Sequence, residues 1–284
     1  MLGAIRRDRP RQGTVAIVVP LGSRQEFLSE EELSLRHLCH YLGAYDKYLL
    51  APAGHHVQRH GFRTMHLPRK FFGSAPAHGH LVMWRPFFRR FSGYDYILMY
   101  HLDSLVFSDD LLAWCRAGYD YIGAPWLPCG DSPWVTEERV GNGGFTLWRV
   151  DSSRRVLRSR HRREPLTRVL DVVARNMERL APLYRLVKVV HRRWPRQFLD
   201  RVLQHRARIL EPAFHGTATD QFWSIEAKRY LPSFRVASVD EALKFAFEVA
   251  PRECFERNGR RVPFGCHAWA KFDRAFWEPF LLRE

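Results

Sequence analysis

Three side chains in this sequence could do chemistry, and each stands beside an apolar segment. Asp103 follows the apolar run at residues 97–100, and its carboxylate needs a cation or several donors there, because burying it alone is costly. Asp220 is a carboxylate that could accept a proton. His267 could ligate a metal if a second ligand lay nearby. Ordinary explanations also exist, since Asp103 and Asp220 could cap helices and His267 could be a hydrogen-bonded loop residue.

A glycine pair is the fourth chemically suggestive feature. Asn142, Gly143 and Gly144 directly precede the apolar segment that ends near Val150. Paired glycines allow positive φ and a close approach of the backbone to a ligand. A tight turn would use the same residues, so this pattern alone leaves both interpretations open.

Short apolar runs alternate with segments of helical character. Strands are predicted at residues 14–21, 47–51, 62–67, 97–100 and 119–124, and residues 140–150 are predicted to form a Gly-rich turn that runs into a strand. Helices are predicted from Ser29, over residues 79–91 with a break near Pro86, from Ser108 to Trp114, and over residues 152–210. This alternation favours an α/β fold with a mostly parallel sheet, in one domain over residues 1–284. Ligands bind such sheets beyond the carboxyl ends of the strands, where Asp103 is expected.

The positive charge is concentrated in one region. The chain has a formal net charge of +15, and residues 151–215 carry 17 Lys and Arg against 6 Asp and Glu. We therefore predict a basic helical insertion at residues 151–212. Within it, residues 166–190 have the periodicity of an amphipathic helix. Its arginines could form a solvated face or could contact an anionic membrane surface.

Nucleic acid is the other anionic partner that this charge could suggest. The basic region has no zinc-finger or RNA-recognition signature, and it lies outside the segments that contain the candidate site residues. We therefore expect no nucleic-acid partner.

The sequence has no CxxC pair, no apolar run long enough to span a membrane and no secretory apolar stretch, and these features indicate its redox compartment and location. Its five cysteines form no CxxC pair, which favours reduced thiols over disulfides or a zinc cage. No apolar run reaches the roughly 18 residues that span a bilayer, and the basic N-terminus has no secretory apolar stretch. We expect a cytoplasmic protein, with the basic insertion allowing peripheral contact with the inner face of the membrane.

Taken together, the motifs resemble those of a bacterial family of GT-A-like glycosyltransferases, long described only as a domain of unknown function. The resemblance rests on these segments: YILMYHLDSLVF (96–107), YDYIGAPW (119–126), VGNGGFTL (140–147), DQFWS (220–224) and PFGCHAW (263–269). The segments at residues 15–52 and 237–259 are similar as well, so most of the chain outside the basic insertion is covered. The order of motifs also resembles, more distantly, the Fringe-type glycosyltransferases.

This resemblance implies a GT-A fold and a transferase that uses a nucleotide-sugar donor with Mn²⁺ or Mg²⁺. Asp103 and His267 would be the metal ligands, and Asp220 would be the general base, which implies inversion at the anomeric carbon. The acceptor would be a glycan or a lipid-linked sugar in cell-surface polysaccharide assembly. The residues expected to contact the donor are His101, Asp103, Ser104, Asn142, Gly143 and Gly144.

Two departures from the GT-A pattern leave alternatives open. His101 stands where the pattern Asp-x-Asp has its first carboxylate, and Asp220 is a single acid where related families usually have two. A degenerate protein that only binds sugar nucleotides or scaffolds a complex is therefore a second hypothesis. A nucleotidyltransferase is a weaker one, because the loop after the first strand has only Gly22 and Arg24 where a Gly-rich basic loop is needed.

Overall fold

The computed structural model describes residues 14–22, 26–163 and 218–283. Of the predicted basic insertion at residues 151–212, only the first helix lies within this range. The rest of the insertion, including the amphipathic segment at residues 166–190, lies outside the described residues.

The central element is a six-stranded mixed sheet with the order β3-β2-β1-β4-β9-β6. Five strands run in one direction, and β9 is antiparallel to both of its neighbours. This confirms the predicted α/β class and the mostly parallel sheet. The strands are β1 (Val15–Pro20), β2 (Asp46–Pro52), β3 (Phe62–Leu67), β4 (Tyr96–Tyr100), β6 (Tyr121–Gly123) and β9 (Phe145–Arg149).

Two small sheets pack beside the central one. The first joins β10 (Ala246–Phe247), β11 (Gly265–Cys266) and β5 (Leu105–Val106), and the second pairs β7 (Pro125–Trp126) with β8 (Arg139–Val140).

Helices cover the sheet and flank its edges. In chain order they are α1 (Ser29–Leu42), α2 (Ala75–Val82), α3 (Arg85–Arg90), α4 (Leu111–Ala117), α5 (Val150–Arg163), α6 (Ala218–Gln221), α7 (Ala227–Tyr230), α8 (Val239–Phe245), α9 (Pro251–Arg257) and α10 (Arg274–Trp277). A π-helical turn, Phe222–Glu226, joins α6 to α7.

The inner strands are apolar because both of their faces are buried. All five residues of β4 are buried, as are the first five of β1. Side chains alternate between faces along a strand. Ala16 and Val18 therefore pack into one core cluster, while Ile17 and Val19 pack into the cluster on the other face. When a sheet is covered on both faces, the sequences of its strands are continuous apolar runs.

The helix expected at residues 79–91 with a break near Pro86 is two helices, α2 and α3, and Pro86 occupies the first turn of α3. Two other local predictions need correction. The strand expected at residues 119–124 is shortened to β6. The helix expected from Ser108 begins at Leu111 instead, and the Ser108 hydroxyl donates a hydrogen bond to the Asp110 carboxylate.

Among the residues that the structure describes, no helix combines the length and the apolar character needed to cross a bilayer.

We predict that Asp120 holds the β6 end of the sheet together. Its buried carboxylate accepts hydrogen bonds from the Ser152 hydroxyl at 2.5 Å and from the Arg235 amide at 2.7 Å. Asp120→Ala leaves two donors without an acceptor, so the free energy of unfolding should fall by about 2 kcal/mol in urea denaturation. The exposed Asp109→Ala variant is the control, and it should change this value by less than about 0.5 kcal/mol. Equal effects of the two variants would contradict this role.

Candidate functional site

The site lies in a cavity along the carboxyl edge of the central sheet. Its volume is about 770 Å³, and it extends from the end of β1, at Pro20, past the end of β4, at His101, to Trp126 in β7. Strand order reverses between β1 and β4, because β2 and β3 continue on one side of β1 and β4 lies on the other. Open α/β sheets bind ligands at such a reversal.

Three potential metal ligands converge in this cavity. One ligand atom each from His101, Asp103 and His267 lies within 4.8 Å of the other two. The Nε2 atom of His267 is 3.2 Å from Oδ1 of Asp103. The structure thus brings together the two metal ligands expected from the sequence and adds His101, which was expected only as a donor contact.

The small β10-β11-β5 sheet brings His267 to Asp103. Strand β11 is antiparallel to β5, with Cys266 opposite Leu105. The chain after Cys266 therefore runs back alongside Ser104 and Asp103, and this brings His267 close to Asp103. A hydrogen bond from the Trp269 amide to the Asp103 carbonyl (3.2 Å) continues the pairing. Strand β10 is parallel to β11, which places Glu248 beside His267.

His267 bridges two carboxylates. Its Nδ1 lies 2.9 Å from Oε1 of Glu248, and its Nε2 faces Asp103. Burial opposes a charge on the ring, but the Asp103 and Glu248 carboxylates together raise the pKa of His267 to about 10. Although partial burial favours a neutral carboxyl, the charged ring holds the pKa of Asp103 well below its usual range. A proton on Nε2 therefore fills the position that a metal ion would take.

His101 and His78 form a second imidazole pair. Their Nε2 atoms are 3.3 Å apart, and the rings meet edge to face. Burial lowers the pKa of His78 to about 4 and lowers that of His101 as well, so both rings are neutral at physiological pH. Neutral imidazole is the form that ligates metals.

Asp220 lies in helix α6 and lines the same cavity. The Gly143 amide donates a hydrogen bond to its carboxylate. Burial, and then the negative charge of Glu248, raise the pKa of Asp220 well above its usual range. This carboxyl therefore accepts a proton more readily than an exposed aspartate does.

The glycine pair serves close packing and not an unusual backbone angle. Neither Gly143 nor Gly144 has a positive φ, which corrects one reason for expecting glycines here. A Cβ on Gly143 would lie 2.5 Å from Oδ1 of Asp220, and a Cβ on Gly144 would collide with the imidazole ring of His267. The pair is needed because the carboxylate of Asp220 and the imidazole of His267 both lie against this backbone.

Asn142 and Ser104 support this loop from opposite sides. The Asn142 carboxamide accepts a hydrogen bond from the Gly144 amide at 2.8 Å, and Asn142 also lines the cavity. Ser104, expected as a donor contact, is fully buried, and its hydroxyl donates to the Gly144 carbonyl at 3.4 Å. It lies beneath the loop and not among the residues that line the cavity.

Two cavity residues escaped the sequence interpretation. Glu248 left one signal, a single carboxylate in the apolar segment at residues 245–250, where burial demands a partner. His78 left none, because it is one of 14 histidines and its neighbour His101 is known only from the fold.

Comparison with known families decides the membership of this chain. A family model described as "Protein of unknown function (DUF5672)" matches residues 61–267, more than two thirds of the sequence. The chain belongs to the DUF5672 family. The matched range contains His78, His101, Asp103, Asp220, Glu248 and His267.

Other comparisons add a fold neighbour to this DUF5672 chain. The solved structure of galactosyltransferase LgtC, in complex with donor and acceptor sugar analogues, is similar with a TM-score of 0.47. The sequences are 12% identical, and the alignment covers 93% of each chain. No curated protein sequence matches significantly.

The packing of the glycine pair gives a prediction for metal binding. Gly144→Ala should push His267 away from Asp103 and weaken Mn²⁺ binding about 10–100-fold, as disturbing the support of a metal ligand commonly does. Isothermal titration calorimetry on the full chain measures the affinity. Gly130→Ala is the matched control, because a Cβ there meets no atom within 4 Å. Wild-type affinity in Gly144→Ala would show that His267 does not ligate the ion.

Proposed function

We propose that this DUF5672 protein is a metal-dependent glycosyltransferase of the GT-A type, which moves a sugar from a nucleotide-sugar donor to an acceptor hydroxyl. The observation that carries the proposal is the convergence of His101, Asp103 and His267 in the cavity that also holds Asp220. The sequence resemblance to GT-A-like transferases supports the same function.

The charges that line the cavity explain why a metal would be needed. Five described lining residues are acidic, namely Glu30, Glu31, Asp103, Asp220 and Glu248, and one described lining residue, Lys271, is a lysine. A nucleotide diphosphate would be repelled by such a surface. A divalent ion would reverse the local charge and, when bound, would stabilise the leaving diphosphate as a Lewis acid.

The donor atoms present fit a transition ion. Two imidazoles and one carboxylate leave further positions open, and the imidazole nitrogens disfavour Mg²⁺, which prefers an all-oxygen shell. Of the two ions that the sequence resemblance implies, we therefore favour Mn²⁺, held by Asp103, His267 and His101. Glu248 would fix the ring of His267 through Nδ1, leaving Nε2 for the ion.

Asp220 is the proposed general base. Its raised pKa brings the carboxyl towards the working pH, which favours transfer of the acceptor hydroxyl proton. We propose that this single base acts opposite the leaving group, so that the sugar is transferred with inversion. The donor would contact His101, Asp103, Asn142, Gly143 and Gly144, and its nucleoside would lie in the crevice between β1 and β4.

The degenerate alternative is favoured by the two departures from the GT-A pattern, His101 in place of a carboxylate and Asp220 as a single acid. A protein of that kind would bind a sugar nucleotide with metal but would release no product. Nucleic-acid binding at this cavity is disfavoured by its acidic lining.

We further propose that the acceptor belongs to cell-surface polysaccharide assembly and that the protein works at the cytoplasmic face of the membrane. Arg155, Arg158 and Arg162 are exposed on α5, at spacings that put them on one side of the helix. Such a stripe suits the anionic headgroups near a lipid-linked acceptor. The single domain over residues 1–284, with its insertion at residues 151–212, is part of this proposal.

The nucleotide-binding prediction addresses the whole proposal. Mn²⁺ with one of UDP, GDP or CMP should raise the melting temperature of the wild type, and Asp103→Ala should lose this shift, because the ion loses a ligand. Mg²⁺ at equal concentration should give a smaller shift. Asp109→Ala is the control and should behave like the wild type. A nucleotide shift that is independent of metal and of Asp103 would contradict the proposed metal site.

The catalytic prediction separates a transferase from a degenerate binder. Asp220→Asn should keep the Mn²⁺-dependent nucleotide shift but release nucleotide from the matching sugar donor about 10²–10⁴-fold more slowly, because the base is lost. NMR of the first product should show an inverted anomeric carbon. Undiminished turnover in Asp220→Asn would exclude it as the base, and retention would exclude the inverting mechanism.

The membrane prediction uses vesicle co-sedimentation of the full chain. A larger fraction of the protein should sediment with phosphatidylserine-containing vesicles than with neutral ones. The difference should be smaller when Arg155, Arg158 and Arg162 are all changed to Gln. Each arginine near such a surface contributes about 1 kcal/mol. Equal sedimentation with both vesicle types would contradict the membrane contact.

A further inference from the structure

Trp134 is a large aromatic side chain left 49% exposed at the wall of the cavity. Four large hydrophobic side chains are exposed among the described residues, and two of them, Trp134 and Leu28, line this cavity. Within the described part of the chain, the Trp134 ring stacks on no other aromatic. Exposed aromatic surface in a ligand cavity commonly marks a binding surface.

The loop that carries Trp134 is fixed in place. The Ser132 side chain is fully buried, and its hydroxyl donates a hydrogen bond to the Leu127 carbonyl. The amide of Ser132 donates to the Cys129 carbonyl at 3.0 Å, and that of Val135 donates to the Ser132 carbonyl at 2.9 Å. Trp134 therefore lies between two anchored residues.

Two longer contacts tie the same loop to the remainder of the domain. The Asp131 carboxylate accepts a hydrogen bond from the Ala250 amide at 3.1 Å. Glu138 forms a bidentate pair with Arg257, with distances of 2.6 and 2.9 Å. The loop backbone that presents the indole is thus fixed before any ligand arrives, which lowers the ordering cost of binding.

The position of the loop distinguishes the two ends of the cavity. It joins β7 to β8, and β8 leads directly to Asn142 and Gly143. Its anchor at Ala250 is two residues from Glu248, which faces His267. In the central sheet β9 lies on the opposite side of β4 from β1, so the loop that carries Trp134 connects to the β9 side, whereas the crevice between β1 and β4 lies on the other side of β4.

We propose that Trp134 is the stacking platform for a pyranose ring of the acceptor glycan, an assignment that rests on the proposed transferase function. One face of a pyranose presents mainly C–H groups, which pack on a flat indole, while its hydroxyls stay at the edge for polar contacts. An acceptor sugar on this platform would lie on the same side of the cavity as the general base Asp220. A nucleobase could also stack on an indole, but the β1–β4 crevice is at the other end.

The test uses full-length protein without metal and a panel of methyl pyranosides of glucose, galactose and N-acetylglucosamine. Saturation-transfer difference NMR on the wild type should show saturation passing from the protein to the C–H protons on one face of at least one of these sugars. Trp134→Ala should weaken that binding about tenfold, and Trp134→Phe should retain part of it because a smaller ring remains. Leu112→Ala, which removes an exposed apolar side chain outside the cavity lining, should leave it unchanged.

The Mn²⁺-dependent nucleotide shift is measured on the same variants and should be equal in all of them. Unchanged sugar signals in Trp134→Ala, or no signal from any pyranoside on the wild type, would overturn the platform while the transferase proposal stands. Loss of the nucleotide shift in Trp134→Ala would overturn it in favour of nucleobase stacking. Sugar binding that depends on Trp134 in a protein without any nucleotide shift would support the platform and remove the transferase function.

Discussion

The contact between the imidazole of His267 and the carboxylate of Asp103 is the interaction on which the cavity depends. It exists because β11 pairs with β5, which joins two segments far apart in the chain. The same small sheet brings Glu248 to the opposite nitrogen of the ring. The imidazole is thus held between two carboxylates. Gly144 then has to be a glycine, because the ring occupies the space of its side chain.

The electrostatics of the cavity follow from this arrangement. Carboxylates gather where the sheet ends, and each needs a positive partner because the surroundings are partly dry. His267 supplies one charge through its raised pKa, whereas His78 and His101 stay neutral. Burial and then the negative charge of Glu248 raise the pKa of Asp220, although the charge of His267 opposes this, so Asp220 stays closer to protonation. A cavity of this kind is suited to a divalent cation, and to an anionic ligand once that cation is present.

The sequence allowed much of this architecture to be predicted. The apolar runs of β1 and β4 predicted buried strands, and the family resemblance implied that Asp103, Gly143, Asp220 and His267 share one site. Their meeting could not be derived from spacing, since it requires the pairing of two-residue strands that leave almost no periodic signal.

Other features stayed hidden for similar reasons. The family resemblance implied that Ser104 contacts the donor, but its side chain is fully buried and its hydroxyl donates to the Gly144 carbonyl. The glycine pair suggested positive φ, whereas its requirement comes from side chains elsewhere in the chain. Such requirements depend on tertiary neighbours, which local patterns do not contain.

Electron spin-echo spectroscopy of bound Mn²⁺ tests the central claim most directly, because it detects nitrogen nuclei ligated to the ion. The wild type, frozen with one equivalent of Mn²⁺ and the nucleotide it binds, should show ¹⁴N modulation from imidazole. His267→Gln should show weaker modulation, and the exposed His66→Gln should match the wild type. Bound Mn²⁺ without nitrogen modulation, or with modulation unchanged by His267→Gln, would contradict a metal site built on His267.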